Sequence, residues 1–205
     1  MSAPATSAAE RTTERTTERT TERTTAPSVP GVTIWLTGLS GAGKSTIAYA
    51  LADELRGRGR RVEVLDGDEL REALSPGLGF SRADRDAHVG RVGYLARMLA
   101  KHGVIALVPV IAPYEETRAA VRAGHESDGT AYLEVHVATP VDECARRDVK
   151  ALYAKHAAGE VSSLTGVDDP YEAPTDPDLR LDTTGTDLAA DVETLLTLLA
   201  ERHLL

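Results

Sequence analysis

Residues 38–46, GLSGAGKST, lie between an apolar run, VTIWLT (32–37), and a segment with helical spacing that extends to about Arg58. The stretch satisfies G-x-x-x-x-G-K-[ST] in full, through Gly38, Gly43, Lys44 and Ser45. Glycines let the backbone curl until successive N–H groups point inward at phosphate oxygens, and the helix that follows adds its positive N-terminal end. Lys44 is placed to reach the outer phosphates and Ser45 to ligate Mg2+, with Leu39, Ser40, Gly41, Ala42 and Thr46 completing the cradle. A strand, this loop and a helix, in that order, predict a site for a nucleoside triphosphate.

The alternation continues along the chain. RRVEVLDGD (60–68) reads as a second strand ending in two carboxylates. SRADRDAHVGRVGYLARMLAKHG (81–103) reads as a helix with Ser81 as N-cap and Gly103 as its stop. VIALVPVIA (104–112) is a continuous apolar run, as expected of an interior parallel strand covered on both faces. EETRAAVRAGHES and PVDECARRD suggest helices on either side of a strand, AYLEVHVAT (131–139). LRLDTT (179–184) reads as a short last strand and DLAADVETLLTLLAER as a closing amphipathic helix. Strands alternating with helices imply an α/β fold whose parallel sheet carries helices on both sides. The stretch 159–177, rich in Gly, Asp and Pro, reads as a long functional loop.

Residues 1–30 stand apart, because the TTER unit that recurs there has balanced charge and no apolar face to bury. They read as a disordered, low-complexity extension, with 31–205 forming one compact domain. The net charge of -9 makes the chain a poor candidate for non-specific binding to nucleic acid or to an acidic membrane. A single cysteine, Cys144, excludes an intrachain disulfide framework and reads as a small buried residue or a reactive thiol. No apolar run is long enough to cross a bilayer and no signal-peptide core is visible, so the expected location is the cytoplasm.

LDGD places Asp66 and Asp68 at the carboxyl end of the second strand, the edge where ligands sit in an open parallel sheet. The pair reads as a water-mediated Mg2+ site, as a group that orients and deprotonates a hydroxyl, or as a solvated Asp-Gly turn. Arg71, Arg85, Arg91 and Lys155 follow, each either a surface charge or, for the arginines, a bidentate contact to phosphate or sulfate. Phe80, the single phenylalanine, belongs either in the core or stacked on a purine.

Taken together, WLTGLSGAGKST, LDGDELREAL, LGFSRADR, VIAPY, RDVKALYAK and LTGVDDPYEAP resemble the adenylylsulfate kinase family over about residues 31–183. The resemblance implies a P-loop NTPase fold, a three-layer α/β/α sandwich around a mainly parallel sheet. It also implies transfer of the ATP γ-phosphate to the 3′-hydroxyl of adenosine 5′-phosphosulfate (APS), giving PAPS for sulfate assimilation. Mg2+ is the implied cofactor and a homodimer the implied assembly. By position, Lys44 and Ser45 would serve ATP and Mg2+, Asp68 would activate the 3′-hydroxyl, and Asp66 would support the metal. Arg71 and Arg85 would bind APS, Phe80 would stack on its adenine, Lys155 would lie on the substrate side, and Arg147 would pack on the ATP adenine. Residues 150–175 would form a lid that excludes water.

This chain departs from the family pattern on the acceptor side. Glu69 stands where Asn is common, His88 replaces an APS-contacting Asn, and Gly90 replaces an Arg. His88 reads either as a substitute ligand for APS or as a surface residue. Ala112, after Ile111, takes the place of the serine in ISPY, and Leu164 that of a second stacking aromatic. These changes leave open a related kinase for another hydroxylated acceptor, or a non-catalytic nucleotide-binding partner of a sulfurylase.

Overall fold

The computed structural model describes residues 30–205, and the TTER repeat lies outside the described residues. Five strands, β1 (Val32–Thr37), β2 (Val62–Val64), β3 (Ile105–Pro109), β4 (Ala131–Val137) and β5 (Leu179–Leu181), form one sheet in the order β2-β3-β1-β4-β5. Every pairing is parallel. The helices are α1 (Lys44–Gly57), α2 (Gly67–Leu74), α3 (Arg82–Lys101), α4 (Glu115–Ser127), α5 (Val141–Arg147), α6 (Leu152–Ala157) and α7 (Leu188–Glu201).

The period of two in β1 explains the layering. Val32, Ile34 and Leu36 join a core with Leu51 and Leu55 of α1 and Leu195 and Leu199 of α7. Trp35 points the other way, into a cluster with Val89, Val92 and Ala96 of α3. Both faces of β1 are therefore covered, and its six residues are all buried. The α3–α4 contact depends on Gly93, where a Cβ would stand 2.6 Å from a Val121 methyl carbon.

Chain order reverses at β1: β2 and β3 lie on one side of it, β4 and β5 on the other. In an open parallel sheet such a reversal leaves a crevice beyond the carboxyl ends of the strands. The phosphate loop follows β1 and opens into that crevice.

β3, β4 and β5 end at Pro109, Val137 and Leu181, two to three residues before their expected limits, and two elements depart further from the sequence expectation. The second strand stops at Val64, and Gly67–Leu74 is helical. Asp66 is the cause: its carboxylate accepts from Asp68 N–H at 2.9 Å and so caps a new helix where the strand was expected to continue. The second is α6, a six-residue helix within the expected lid. Asp148 starts it by accepting from the N–H groups of Tyr153 at 3.0 Å and Ala154 at 2.9 Å.

Candidate active site

The phosphate loop folds as it does because side chains would not fit. A Cβ on Gly38 would lie 2.3 Å from the Val137 carbonyl oxygen, and Gly43 has φ +100°. Lys44, the first residue of α1, is buried, and its Nζ donates to the carbonyls of Gly38 at 3.0 Å and Leu39 at 2.8 Å. Burial lowers its ammonium to about 8, and Lys150 pushes the same way, while Asp68 and Asp66 oppose the shift. Ser45 Oγ donates to Asp66 Oδ2 at 2.6 Å. One carboxylate thus caps α2 and meets the phosphate-loop serine.

A cavity of about 740 Å³ opens above the loop. Its wall includes Ser40, Gly41, Gly43, Lys44, Ser45, Thr46 and Arg147, together with Arg71, Phe80, Arg85, Ile111, Ala112 and Leu164. Asp68 belongs to the same wall. Arg147 is fixed in place: its Nη1 and Nη2 donate to Thr183 Oγ1 and O, both at 2.8 Å, and its Nε to Glu143 at 2.8 Å. Gly38, Leu39 and Ala42 stay out of the cavity wall and support the loop through their carbonyls.

Phe80 is 60% exposed, so it is not a core residue. The Arg71 and Arg85 guanidiniums lie 4.9 and 5.6 Å from its ring centroid. Arg85 is buried and faces the 163–169 segment. Its Nη1 donates to Thr165 Oγ1 at 2.8 Å and its Nη2 to the Ser163 carbonyl at 2.7 Å, and Asp169 is 3.6 Å away. Leu164 is therefore held against the cavity by the same segment that Arg85 grips. His88 borders the cavity yet is buried, at 2% exposure. Arg91 donates to the Leu74 carbonyl at 2.8 Å and lies outside the wall. Cys144 is buried beneath the loop.

Lys155 is exposed on α6 and does not reach the cavity. Lys150, five positions earlier in the same RDVKALYAK stretch, lines the cavity and ion-pairs with Asp68. The motif was visible in the sequence; which lysine turns inward depends on Asp148 and Ala151, whose φ values of +29° and +54° reverse the chain on either side of Lys150.

Both ends of the segment expected as the lid are tied down. Tyr153 OH donates to the Ser40 carbonyl at 3.0 Å. Thr37 Oγ1 donates to the Ile111 carbonyl at 2.5 Å, so at 3.1 Å it accepts from Tyr171 OH. Arg118, 1% exposed, donates to the carbonyls of Ala112 at 2.8 Å and Glu172 at 2.7 Å. Its Nε lies 2.9 Å from Glu134 Oε1, a close ion pair off the axis of a hydrogen bond.

The profile of the adenylylsulphate kinase family matches residues 30–182. The chain belongs to that family. An adenylyl-sulfate kinase of Chloroflexus aurantiacus is 54% identical over 170 residues, 83% of this chain and 88% of that protein. One from Deinococcus deserti is 55% identical over 153 residues, 75% and 82% of the two chains. The Mycobacterium tuberculosis APS kinase solved with AMPPNP and APS superposes with a TM-score of 0.81 at 43% identity, covering 83% of this chain and 98% of that one. The five-stranded parallel sheet is thus the P-loop α/β fold of the adenylylsulphate kinases.

Proposed function

We infer that this chain is an ATP-dependent adenylylsulfate kinase, transferring the γ-phosphoryl group of ATP to the 3′-hydroxyl of APS to give PAPS. The observation that carries the reading is one cavity whose wall is shared by the phosphate loop, Asp68 and the Arg71–Phe80–Arg85–Leu164 set. Family membership and the relatives' adenylyl-sulfate kinase activity name the acceptor.

In this reading the triphosphate takes the loop N–H groups and Lys44, and Arg147 flanks the ATP adenine. APS lies on the opposite side, with its adenine between Phe80 and Leu164, its charged group near Arg71 and Arg85, and the Ile111–Ala112 segment against it. Asp68 accepts the proton of the 3′-hydroxyl as the oxygen attacks the γ-phosphorus in line with the departing ADP oxygen. Lys150, freed from Asp68 as the proton transfers, neutralises charge on the moving phosphoryl group. The Ser45 hydroxyl and Asp66 carboxylate are hard oxygen donors 2.6 Å apart, and among the described residues no cluster of three or more His, Cys, Asp or Glu competes with them. That set fits Mg2+, which takes its remaining ligands from water and phosphate. Bound there, the ion would offset charge on the β- and γ-phosphates. The lid keeps water from the γ-phosphorus.

The assembly and location proposed are a homodimer in the cytoplasm, where ATP is available. The exposed Tyr94 and Met98 on α3 offer an apolar face for such a contact. A Thiobacillus denitrificans relative, 40% identical, is a hexameric APS kinase, so sedimentation of the full chain decides the assembly. Among the described residues no helix is long and apolar enough to cross a membrane.

The test is ADP release by the purified chain with ATP and Mg2+, with and without APS, and identification of the product. APS-dependent ADP and PAPS in equal amounts are expected, and Lys44→Ala abolishes both. Asp68→Ala lowers the rate far more than it weakens ATP binding. Turnover only with a different hydroxyl compound, or ATP binding without turnover, refutes the assignment.

A further inference from the structure

His88 has a different task from the two its sequence position suggested. Its Nε2 lies 3.0 Å from the Gly67 carbonyl oxygen and its Nδ1 2.9 Å from Ser75 Oγ. A carbonyl can only accept, so Nε2 carries the proton and Nδ1 accepts from the Ser75 hydroxyl. Both ring nitrogens are therefore engaged with protein, which leaves none for a nucleotide.

The Gly67 carbonyl belongs to the peptide that joins Gly67 to Asp68. The N–H of that same peptide donates to Asp66 Oδ1 at 2.9 Å. A Cβ on Gly67 would stand 2.9 Å from a Val110 methyl carbon, so the peptide also lies flush against the end of β3. We propose that His88 is a positioning residue: with Asp66 it grips the two polar atoms of the Gly67–Asp68 peptide and so sets where the Asp68 carboxylate stands relative to the phosphate loop. Ser75, the residue that ends α2, completes the device by holding the imidazole in the tautomer that donates to Gly67. The resulting chain of contacts runs from Ser75 through His88, the peptide and Asp66 to Ser45 of the phosphate loop.

Burial, with the nearby Arg71 and Arg91 cations, lowers the His88 pKa against the opposing pull of the Gly67 carbonyl and Asp68. This keeps the ring neutral, the form the arrangement requires. The idea rests on Asp68 acting on the acceptor hydroxyl, as proposed above.

Misplacing a reacting group by an ångström costs on the order of 100-fold in rate. His88→Ala is accordingly expected to lower kcat by roughly 30- to 100-fold, with KM for APS and Kd for ATP within about twofold of the wild type. His88→Gln keeps a donor for Gly67 and is expected to recover most of that loss. Ser75 lies outside the cavity wall, so Ser75→Ala is expected to lower kcat without touching KM. Ser75→Ala added to His88→Ala is expected to cost nothing further. Should His88→Ala fail to fold, Ser75→Ala and His88→Gln carry the same comparison.

A rise of tenfold or more in KM for APS with kcat retained would make His88 an acceptor ligand and overturn the proposal. Changes within twofold in all three variants would overturn it as well. The ring tautomer, read by long-range 1H–15N correlation in histidine-labelled protein, needs no acceptor. If the wild type ignores APS, the proposed function falls, while a proton on Nε2 that is lost or shared in Ser75→Ala still supports the positioning role. A proton found on Nδ1 refutes it.

Discussion

With Lys44 on the triphosphate as proposed, its burial should make ATP binding proton-linked in a way that pH alone can expose. Its ammonium, ordinarily near 10.5, is held to about 8, chiefly by burial. Arrival of a triphosphate surrounds it with negative charge and restores the charged form. At pH 8.5, about three quarters of the free enzyme lacks the Lys44 proton, so each ATP bound should take up roughly 0.75 proton. The sign follows from the count: the complex holds more protons than its parts, so affinity falls as pH rises above 8. The slope approaches tenfold in Kd per pH unit, with little change below about pH 7. The same depressed value predicts that this group makes the free enzyme more stable as pH rises from 8 towards 10.5, because the unfolded chain then binds more protons. Isothermal titration of ATP in buffers of different ionisation enthalpy measures the uptake directly. Lys44→Arg, which stays charged throughout, should bind without uptake. A flat Kd from pH 7 to 9.5, or an uptake that survives in Lys44→Arg, would refute the reasoning.

Other perturbations separate stability from chemistry. Lys150→Ala removes an ion pair whose side chains are 52% and 70% exposed, so stability should change by less than about 1 kcal/mol. APS-dependent ADP release should nevertheless fall by at least about tenfold, because the charge proposed to face the phosphoryl group is gone. Two alanine substitutions on α3 should act in opposite directions in thermal melts. Gly93→Ala drives a Cβ to 2.6 Å from Val121 and should cost about 1–2 kcal/mol after the gain in helix propensity. Gly90→Ala meets nothing within 4 Å and should add about 0.5–1 kcal/mol. Arg118→Met leaves the Glu134 carboxylate buried without its closest cation and should cost about 3–5 kcal/mol in urea unfolding. Adding Glu134→Gln should restore part of that stability but not the lid anchoring at Glu172.

The boundary between what was readable in the sequence and what was not follows the separation between interacting residues. The phosphate loop, the buried β1 and β3 runs and the Ser81 cap are signals contained within about twenty residues; β1 and α3 formed near their expected limits, while β3 stopped at Pro109, three residues short of the apolar run's end. The short β2 is a local contest that pattern alone does not decide. VEVLDGD continues as a strand by alternation, and the structure turns because the Asp66 carboxylate finds the Asp68 N–H and the Ser45 hydroxyl together. His88 and Lys150 were visible as residue types, yet their roles depend on Gly67, Ser75 and Asp68, which only folding brings within reach.

Contacts between residues far apart in the chain carry little local signal, and three of them bear directly on closure. Thr37 and Tyr171 are 134 positions apart, Lys150 and Asp68 are 82 apart, and Arg118 and Glu172 are 54 apart. Tyr171 donates to Thr37, Thr37 donates to Ile111, and Arg118 holds both Ala112 and Glu172. The far end of the proposed lid is thereby fastened both to the strand that feeds the phosphate loop and to the Ile111–Ala112 segment of the cavity wall. Its middle depends on Arg85, which grips Ser163 and Thr165. An acceptor anion drawn to Arg85 must therefore share that guanidinium with the lid. Opening for APS is expected to begin at residues 163–165, while residues 171–172 stay in place. Hydrogen exchange should rise first at Leu164 and Thr165 and last at Glu172, whose N–H donates to the Pro113 carbonyl at 2.8 Å. The reverse order would mean that the lid swings from the end assigned here as its anchor.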